Sequence, residues 1–406
     1  MSEIGTFAGV HVLAEFEGID PHVLDNPEFL RETLGSAVTD AGATVCEVAA
    51  HRFAPHGVTV VALLAESHAS IHTYPELGAA FADVFTCGDQ ANPELAVTLL
   101  AGALGAGSVR TSSTTRGAGA RPAERVGVGL TRSWDVHEVL FRTRTDFQDL
   151  LIGRTAQGIS LFCDDERQST QTTQLTYHEA LMVPAMLLAD QVRRVLIIGS
   201  SEGVAGELAV AQGASVVDHV DIDRVAVRAC AEHLPYGYTP AALAAAERGE
   251  GPVRVHYRDG WEFLAGAEPG YDVVVIDLPD ENDDPTAQHN RLYGTEFLRR
   301  CADLLAPGGV VSSQAGCPTM WRDGTLVAAW QRFGELFGTT VYYGSAEHEW
   351  AFVSGRPDVV DDPVGAMTRR LATAPYRPET LDAASLRGST VPPLRVRASG
   401  PRRRGA

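Results

Sequence analysis

The sequence predicts an α/β protein with two domains of different fold. The first is a small α/β sandwich, and the second joins a small β domain to a doubly wound parallel sheet. A chain of 406 residues is too long for one ordinary core. Continuous apolar segments that alternate with helices, the pattern of buried parallel strands, occur only in its second half.

The first domain is predicted over residues 1–107, where short strands and helices follow one another closely. The predicted strands are Val10–Phe16, Thr44–Phe53 and Val58–Ala65, and the predicted helices begin at Pro27 and near Asn92. Proline and asparagine are typical of the first positions of a helix. Such an alternation of strands and helices favours a compact α/β sandwich.

Residues 108–135 are predicted to be a linker. From Ser108 to Arg125 nearly all residues are small or polar, which is the composition of a flexible connection open to proteolysis. The second domain is predicted over residues 136–385. Residues 386–406 are predicted to form a disordered basic tail, because the arginines from Arg395 to Arg404 lie among proline, glycine and serine.

The second domain is predicted to begin with antiparallel hairpins and to continue as a parallel sheet. The hairpins are predicted at Val139–Arg144, Leu150–Thr155 and Gly158–Phe162, ahead of a helix at Tyr177–Asp190. Buried parallel strands are predicted at Val195–Gly199, Val216–Asp223 and Tyr271–Asp277. In such sheets the ligand lies at the carboxyl ends of the strands.

Composition narrows the class of protein. The net charge of −19 opposes binding to nucleic acid and suits cationic ligands. No apolar run is long enough to span a membrane and no secretory signal is visible at the N-terminus, so a cytoplasmic protein is expected. The six cysteines have neither disulfide nor metal-ligand spacing, which predicts reduced thiols and no metal site.

Three reactive side chains lie close together in the first domain: Ser67, His72 and Cys87. By chemistry alone they could serve as a nucleophile, a base and a proton donor. Their spacing by itself does not distinguish that role from packing. Phe53 and Tyr74 are candidates either for stacking on an adenine or for the core.

The surrounding segments resemble the bacterial pyruvoyl-dependent S-adenosylmethionine decarboxylases, from Gly9 to Gly107. The residues that carry the resemblance are Phe53 to Thr59, Ala65 to Glu76, and Asp83 to Gly88. The resemblance implies that the chain cuts itself between Glu66 and Ser67, which leaves a pyruvoyl group in place of the serine. It further implies that the carbonyl of this group forms a Schiff base with the substrate amine.

The same resemblance implies roles for the neighbouring residues. His72 would be the base for the β-elimination that completes cleavage, and Cys87 would return a proton after decarboxylation. Thr59 stands where the family usually has a serine that supports the rearrangement, so a hydroxyl is kept.

A nucleoside site is predicted in the second domain. The strand Val195–Gly199 enters a glycine-bounded turn that ends at Gly203, and Asp221 closes the next strand. Asp259 and Gly260 follow the strand after it. A carboxylate at Asp221 can accept the ribose hydroxyls, which indicates a methyltransferase-like fold with an adenosyl ligand.

From Val139 to Gly355 this half resembles the spermidine synthase family of aminopropyltransferases. The resemblance rests on Asp146–Asp149, Gln168, Tyr177–Glu179, Asp277–Asp280, Leu292–Tyr293 and Gln314, in this order. It implies that decarboxylated S-adenosylmethionine is bound by Gln148, Glu202, Asp221, Asp259 with Gly260, and Asp277. It implies that the amine acceptor is bound by Tyr177 with its neighbour His178, Asp277, Asp280 and Gln314. Asp277, assisted by Tyr177, would orient and deprotonate the attacking nitrogen.

Several positions depart from the family pattern. Thr173 and Gln174 stand in place of an Asp-Glu pair, and Glu202 stands in place of an aspartate, beside Ser200 and Ser201 in place of glycines. The usual Tyr-Pro turn before Trp350 is missing as well. These differences predict an altered acceptor pocket.

Taken together, the two resemblances imply a bifunctional enzyme of polyamine biosynthesis. It would decarboxylate S-adenosylmethionine and transfer the aminopropyl group to a diamine, with putrescine as the expected acceptor and spermidine and methylthioadenosine as products. A homo-oligomer, a dimer or larger, is expected, with neither membrane nor nucleic acid as partner. Two alternatives stay open: the first half decarboxylates arginine or ornithine, or the second half is non-catalytic or takes a different acceptor.

Overall fold

The computed structural model describes residues 9–65, 67–87, 90–117, 120–281, 288–344 and 349–400. The chain divides into two compact units, Met1–Gly119 and Ala120–Ala406. Among the helices of the described ranges, none combines the length and apolarity needed to cross a membrane.

Unit 1 is a single antiparallel sheet with helices on one face. Its strands are β1 Gly9–Glu17, β2 Val45–Arg52, β3 Val58–Leu64, β4 Ser67–Tyr74, β5 Ala79–Cys87 and β6 Ser108–Arg116. Its helices are α1 Pro21–Leu24, α2 Pro27–Asp40 and α3 Pro93–Leu104, with a 3₁₀ turn at Pro75–Leu77. The strand order is β2-β3-β4-β5-β1-β6. The predicted strands and helices of this half are confirmed.

The two long helices of unit 1 start as their sequences predict. Asn26 and Asn92 cap α2 and α3 with their side chains, and a proline occupies the first turn of each helix. Alternate residues of the strands, such as Val60, Ala69 and Val84, form the core beneath these helices. The residues between them lie on the opposite face, here called the open face, which includes exposed Leu13, Val61, Leu63 and Phe81.

Much of the segment predicted to be a linker, residues 108–135, forms strands in the structure. Ser108–Arg116 is the edge strand β6, which pairs with β1 along its whole length. Most of its side chains are exposed. Because neither face of this strand is apolar, the sequence lacks the alternation by which strands are recognised. Residues 123–133 of the predicted linker also contain strands, which belong to unit 2.

Unit 2 begins with two small antiparallel sheets. The first pairs β7 Ala123–Gly127 with β8 Leu130–Ser133. The second has the order β12-β11-β10-β9, with bounds β9 Glu138–Arg144, β10 Asp149–Thr155, β11 Gly158–Cys163 and β12 Glu166–Thr170. The predicted hairpins are thus confirmed and gain a fourth strand.

A seven-stranded sheet forms the rest of unit 2, in the order β15-β14-β13-β16-β17-β19-β18. Its strands are β13 Arg194–Gly199, β14 Val216–Asp221, β15 Val253–Tyr257, β16 Tyr271–Asp277, β17 Leu305–Gln314, β18 Thr339–Gly344 and β19 Ala351–Arg356. The five strands from β13 to β17 are parallel, and β19 runs antiparallel to β17 and β18. The predicted doubly wound sheet is confirmed, with an antiparallel edge that was not foreseen.

Helices flank this sheet. Their bounds are α4 Gln174–Leu188, α5 Val204–Gln212, α6 Arg224–His233, α7 Pro240–Glu247, α8 Gly260–Gly266, α9 Thr295–Asp303, α10 Gly324–Leu336, α11 Pro363–Leu371, α12 Ala383–Ser389 and α13 Leu394–Ser399, with a 3₁₀ turn at Gln288–Leu292. β14 and β16 lie on either side of β13, so Asp221 and Asp277 end the two strands that flank β13, at the same edge of the sheet. This edge carries most of the residues predicted to bind the nucleoside.

The prediction of a disordered tail is wrong for the described part of residues 386–400. Leu386 of α12 and Val396 of α13 are fully buried in the cores of unit 2. The buried carboxylate of Glu179 accepts hydrogen bonds from the backbone N–H groups of Glu379 and Thr380, which anchors the chain ahead of these helices. Leu386 and Val396 are isolated apolar residues in a segment rich in arginine, so the sequence shows no helical periodicity there. Their burial nevertheless holds the segment in place.

Candidate active sites

Ser67 lies at the first position of β4, where it pairs with Thr86 of β5. It is half-buried, and its Oγ lies 3.2 Å from Nδ1 of His68. The next residue along β5 is Cys87, a half-buried free thiol that pairs with Gly9 of β1. Ser67 and Cys87 therefore lie at the same end of the sheet on adjacent strands. Glu66, the predicted residue before the cleaved bond, lies outside the described residues.

Two histidines and an aspartate form a cluster on the open face, next to the end of β4 at which Ser67 lies. Oδ1 of Asp83 lies 3.3 Å from Nε2 of His11 and 3.5 Å from Nε2 of His68. Ser70 donates a hydrogen bond to the other oxygen of Asp83. The ligand atoms of His11, His68 and Asp83 lie within 4.8 Å of one another, so these three residues form a cluster that could hold a metal ion. Their own hydrogen bonds already satisfy the carboxylate.

His72 and Thr59 form a separate pair in the middle of the sheet. Oγ1 of Thr59 lies 2.5 Å from Nδ1 of His72, across paired positions of β3 and β4. The rings of Phe53 and Tyr74 contact His72, with centroids at 5.8 and 4.8 Å. The two aromatic candidates thus border this pair on the open face.

Ser67 and His72 are not brought together within one chain. They are five residues apart on one extended strand, which separates them by roughly 16 Å. Strand alternation also places them on opposite faces, Ser67 with buried Ala69 and Ile71, and His72 with His68 and Ser70. The serine and its predicted base therefore belong to different ends and faces of β4.

Asp221 of unit 2, predicted to bind the ribose, is held in place by two hydrogen bonds. It is buried at the end of β14, where its oxygens accept hydrogen bonds from Ser201 Oγ at 2.7 Å and from the backbone N–H of Asp223 at 2.8 Å. Burial raises the pKa of Asp221 to about 6, and these two hydrogen bonds oppose the rise. Asp223 in turn accepts a hydrogen bond of 3.0 Å from Nε2 of Gln148. Gln148 thus reaches this edge of the sheet.

Asp277 ends β16 and pairs with Tyr177 of α4. The tyrosine hydroxyl donates a hydrogen bond of 2.6 Å to Oδ1 of Asp277. Burial, followed by the neighbouring Asp277 carboxylate, raises the pKa of Tyr177 well above its usual value, so the hydroxyl remains a donor. His178, the next residue, is buried, and its Nδ1 lies 2.7 Å from the carbonyl oxygen of Gln174. That hydrogen bond gives His178 a structural contact within its own helix.

The turn residues of the nucleoside site lie close to the sheet. Glu202 is buried in the turn after β13, and burial raises the pKa of its carboxyl. Asp259 caps α8, and its second oxygen pairs with Arg291. A side chain at Gly260 would meet Cγ2 of Ile198 at 2.9 Å, so a glycine is needed for α8 to approach β13.

Asp280 and Gln314, predicted to bind the acceptor, are brought together but are already occupied. Gln314 donates to one oxygen of Asp280, and Arg322 contacts the other at 3.1 Å. The side-chain oxygen of Gln314 accepts the hydroxyl of Tyr293 at 3.2 Å. Burial raises the pKa of Asp280, and the charge of Arg322 opposes that rise. Arg322 was not expected here.

Beside Tyr177 lies a cavity of about 400 Å³, here called the acceptor cavity because Tyr177 is one of the residues predicted to bind the amine acceptor. Its charged lining residues are Arg132, Arg167 and Glu349, and Trp134 and Trp350 form aromatic walls. The neutral residues Thr173 and Gln174 line it as well. Its volume is within the range of sites for small molecules.

Comparison with known proteins agrees with this division of the chain. Residues 10–117 match the family described as S-adenosylmethionine decarboxylase, and residues 174–343 match the spermine/spermidine synthase domain. An S-adenosylmethionine decarboxylase proenzyme of Thermoanaerobacter sp. (strain X514) is 42% identical over 118 residues, which cover 29% of this chain and 95% of the relative. A polyamine aminopropyltransferase of Aeropyrum pernix is 32% identical over 231 residues, which cover 55% of this chain and 70% of the relative.

The chain belongs to both families. Unit 1 is a member of the S-adenosylmethionine decarboxylases, and unit 2 is a member of the polyamine aminopropyltransferases. The crystal structure of spermidine synthase from Thermotoga maritima has a TM-score of 0.58 at 19% identity and covers 69% of this chain and 94% of its own. At that identity the likeness shows a shared fold. The units are called the decarboxylase unit and the aminopropyltransferase unit below.

Some residues of both sites escaped sequence reasoning. His68 and Asp83 of the decarboxylase unit are recognisable only once β4 and β5 are paired, since Ser70 lies opposite Asp83 and His68 opposite Phe85. Arg132 lies within the predicted linker and Arg167 on β12, a strand that was not predicted, and a single arginine in either segment does not indicate a site. Both arginines line the same cavity as Tyr177 only in the folded protein, because the three residues come from different elements of unit 2.

Proposed function

We propose that this protein makes a polyamine in two steps: the decarboxylase unit converts S-adenosylmethionine into its decarboxylated form, and the aminopropyltransferase unit passes the aminopropyl group to a diamine. One observation carries the proposal. A single chain contains members of both families, and the product of the first activity is the substrate of the second. The alternative of a non-catalytic second unit is disfavoured by the buried hydrogen bond between Tyr177 and Asp277.

In the decarboxylase unit, Ser67 is proposed to become the pyruvoyl group. Its half-buried position beside a hydrogen-bonding imidazole suits this change. In cleavage, Ser67 Oγ attacks the carbonyl carbon of Glu66, the C–N bond breaks, and an ester forms. Loss of the serine α-proton then expels the Glu66 carboxylate, and water releases ammonia from what remains. His68 is suited to take the hydroxyl proton of Ser67, with Asp83 holding the far side of its ring.

The pyruvoyl group supplies a carbonyl that takes up the substrate amine and the electrons released with carbon dioxide. Cys87 is proposed to return the proton to the carbon that has lost its carboxylate. Its thiol is half-buried at the same end of the sheet as Ser67, which suits this task. Phe53 and Tyr74 are candidates to hold the adenine, since both are aromatic residues beside His72.

We further propose that His72 and Thr59 act on the Ser67 of a second copy. Within one chain, Ser67 and His72 are roughly 16 Å apart on opposite faces of β4. The open face on which His72 lies carries the exposed apolar residues Leu13, Leu63 and Phe81. A second copy that packs on this face would bury these residues and bring one chain's His72 to the other chain's Ser67, whose Oγ reaches His68 of the open face at the end of β4. The decarboxylase would then be a homodimer with two composite sites.

In the aminopropyltransferase unit, Asp221 is proposed to hold the ribose of decarboxylated S-adenosylmethionine, while Glu202 and Asp259 line its adenosyl site. Asp277 would attract the positively charged ligand on one side and accept a proton from the attacking amine on the other. Tyr177 would keep the carboxylate oriented through its 2.6 Å hydrogen bond. The leaving group is already activated as a sulfonium, so positioning and one proton acceptor suffice.

Two assays test the proposal separately. The purified chain is incubated with carboxyl-labelled S-adenosylmethionine, arginine or ornithine, and released carbon dioxide is counted. Release from S-adenosylmethionine alone is expected, and release from arginine or ornithine alone would overturn the first step. Methylthioadenosine is then measured after decarboxylated S-adenosylmethionine and a panel of amines are supplied directly. Its absence with every amine would overturn the second step.

A further inference from the structure

The guanidinium of Arg167 is the least satisfied charge of the acceptor cavity. Arg167 lies on β12, and its side chain is 11% exposed. Its ion pair with Glu349 has an Nη2 to Oε2 distance of 3.7 Å, which is too long for a hydrogen bond. Its guanidinium carbon lies 5.1 Å from the ring centre of Trp134, which favours a fixed position. Among the described residues, no acceptor is within hydrogen-bond distance of this group.

The other two arginines of the region are committed to carboxylates. Arg132 donates two hydrogen bonds to Glu349, one of them 2.7 Å long, and this pairing lowers the pKa of Glu349. Arg322 pairs with Asp280 at 3.1 Å and with Glu124 at 3.5 Å. Burial lowers the pKa of Arg167, and the charges of Glu124 and Glu349 only partly oppose this, the nearer Glu349 oxygen being 3.7 Å away. Such a charge is costly unless an anion completes its hydrogen bonds.

The cavity is also poor in acceptors for a second ammonium group. Among the described residues that line the cavity, Glu349 is the acidic one. Both oxygens of its carboxylate already accept hydrogen bonds from Arg132. Asp280 is occupied by Arg322 and Gln314. The first turn of α4 contributes the neutral residues Thr173 and Gln174. A simple diamine would carry its distal positive charge toward Arg167, where like charges repel.

We propose that the amine acceptor carries a carboxylate and that Arg167 binds it. The acceptor is then a diamino acid, whose side-chain amine faces Asp277 and Tyr177 while its carboxylate reaches the guanidinium. A guanidinium matches a carboxylate with two parallel hydrogen bonds, which fits the free donors of Arg167. This inference rests on the proposed aminopropyl transfer and replaces putrescine by a carboxylated counterpart.

The transfer step itself is unchanged by the carboxylate. The acceptor nitrogen forms a bond to the propyl carbon beside the sulfur, the C–S bond breaks, and its electron pair stays on the sulfur of methylthioadenosine. The proton lost by the nitrogen passes to Asp277. The product is an amino acid whose side-chain amine carries an aminopropyl group.

Ornithine and putrescine test this inference because they differ by one carboxylate. The full chain is supplied with decarboxylated S-adenosylmethionine and either amine, and methylthioadenosine formation gives kcat/KM for each. A preference for ornithine of roughly 10- to 100-fold is expected from charge-assisted hydrogen bonds. Arg167→Met should raise the KM for ornithine by a similar factor. The KM for putrescine should stay the same or fall. Arg154→Met is the matched control, since Arg154 lies on β10 of the same small sheet, is half-exposed and pairs with Glu138 of β9.

Two results would overturn the inference: wild-type kcat/KM for putrescine equal to or above that for ornithine, or an equal loss for both amines in Arg167→Met. The wild-type comparison needs no variant, and Arg167→Lys serves if the methionine variant does not fold. A protein that makes methylthioadenosine with putrescine alone contradicts only this inference. A protein that makes none with any amine contradicts the transfer itself.

Discussion

The Tyr177 hydroxyl donates a 2.6 Å hydrogen bond to Oδ1 of Asp277, and this contact joins α4 to the carboxyl end of β16. The tyrosine and aspartate are 100 residues apart in sequence. Because β16 lies beside β13, Asp277 is next to the glycine turn of the nucleoside site. The pair thus lies between the proposed adenosyl site and the acceptor cavity, where the proposed mechanism requires the attacking amine to lose its proton.

Asp277→Asn keeps the shape of this residue and removes its charge and its basicity. Loss of one positioned base costs roughly 10²- to 10⁴-fold in rate. The variant is therefore expected to release carbon dioxide from S-adenosylmethionine normally and to form methylthioadenosine at that reduced rate. Tyr177→Phe should lose less, since the carboxylate remains. Wild-type transfer by Asp277→Asn would show that another group accepts the proton.

The affinity of the aminopropyltransferase unit for decarboxylated S-adenosylmethionine should fall at low pH. Burial raises the pKa of Asp221 from 3.8 to about 6, so its carboxylate becomes protonated below that pH and no longer accepts the ribose hydroxyls. The apparent Kd should rise by up to about tenfold per pH unit below 6. Because the folded state binds this proton more tightly than the unfolded state, the same carboxyl lowers folding stability as pH rises from about 4 to 6.

Calorimetric titration between pH 5 and 7.5 measures this effect. Asp221→Asn should bind weakly at every pH and lose the pH dependence below 6. If the variant keeps the wild-type pH profile, the titrating group lies elsewhere.

The proposed exchange of His72 between copies is tested by complementation. Ser67→Ala and His72→Ala should each remain one uncut polypeptide when expressed alone. Co-expressed with different tags, they form mixed dimers in which an intact His72 meets an intact Ser67. Mass spectrometry should then show cleavage of the His72→Ala chain only. If co-expression yields no cleavage, while both variants retain the wild-type melting temperature and dimerise, His72 acts within its own chain.

Cys87 is expected to matter after cleavage and not during it. Cys87→Ala should process into two fragments and decarboxylate roughly 10²- to 10⁴-fold more slowly, because the proton donor is lost. Cys46→Ala is the control, since Cys46 is an exposed thiol on β2. Decarboxylation by Cys87→Ala at the rate of the control would remove the thiol from the mechanism.

The sequence predicted those parts of the fold that follow from local pattern. The buried strands β13, β14 and β16 are continuous apolar runs, and Asn26 and Asn92 precede the helices that they cap. Strand β6 was not predicted because its side chains are mostly exposed and polar, so apolar and polar residues do not alternate along it. The C-terminal helices were not predicted because single buried residues, such as Leu386 and Val396, hold them in place through tertiary contacts and leave no periodic pattern in the sequence.

The candidate sites divide in the same way. Asp221 and Asp277 end apolar strands, so their shared edge could be predicted from the parallel sheet. The ion pair of Asp280 with Arg322 could not be predicted from the sequence. The two residues are 42 positions apart, and no periodic pattern links them. The separation of Ser67 from His72 follows from their placement on one continuous strand, which sequence spacing alone left open.

The most direct test of the central claim follows methylthioadenosine from S-adenosylmethionine in a single reaction with the full chain and an amine acceptor. Wild-type protein should form it without added decarboxylated substrate. Ser67→Ala should form it only when decarboxylated S-adenosylmethionine is supplied. Methylthioadenosine from S-adenosylmethionine in the Ser67→Ala variant, or none from wild type with any acceptor even when the decarboxylated substrate is added, would contradict the two-step account.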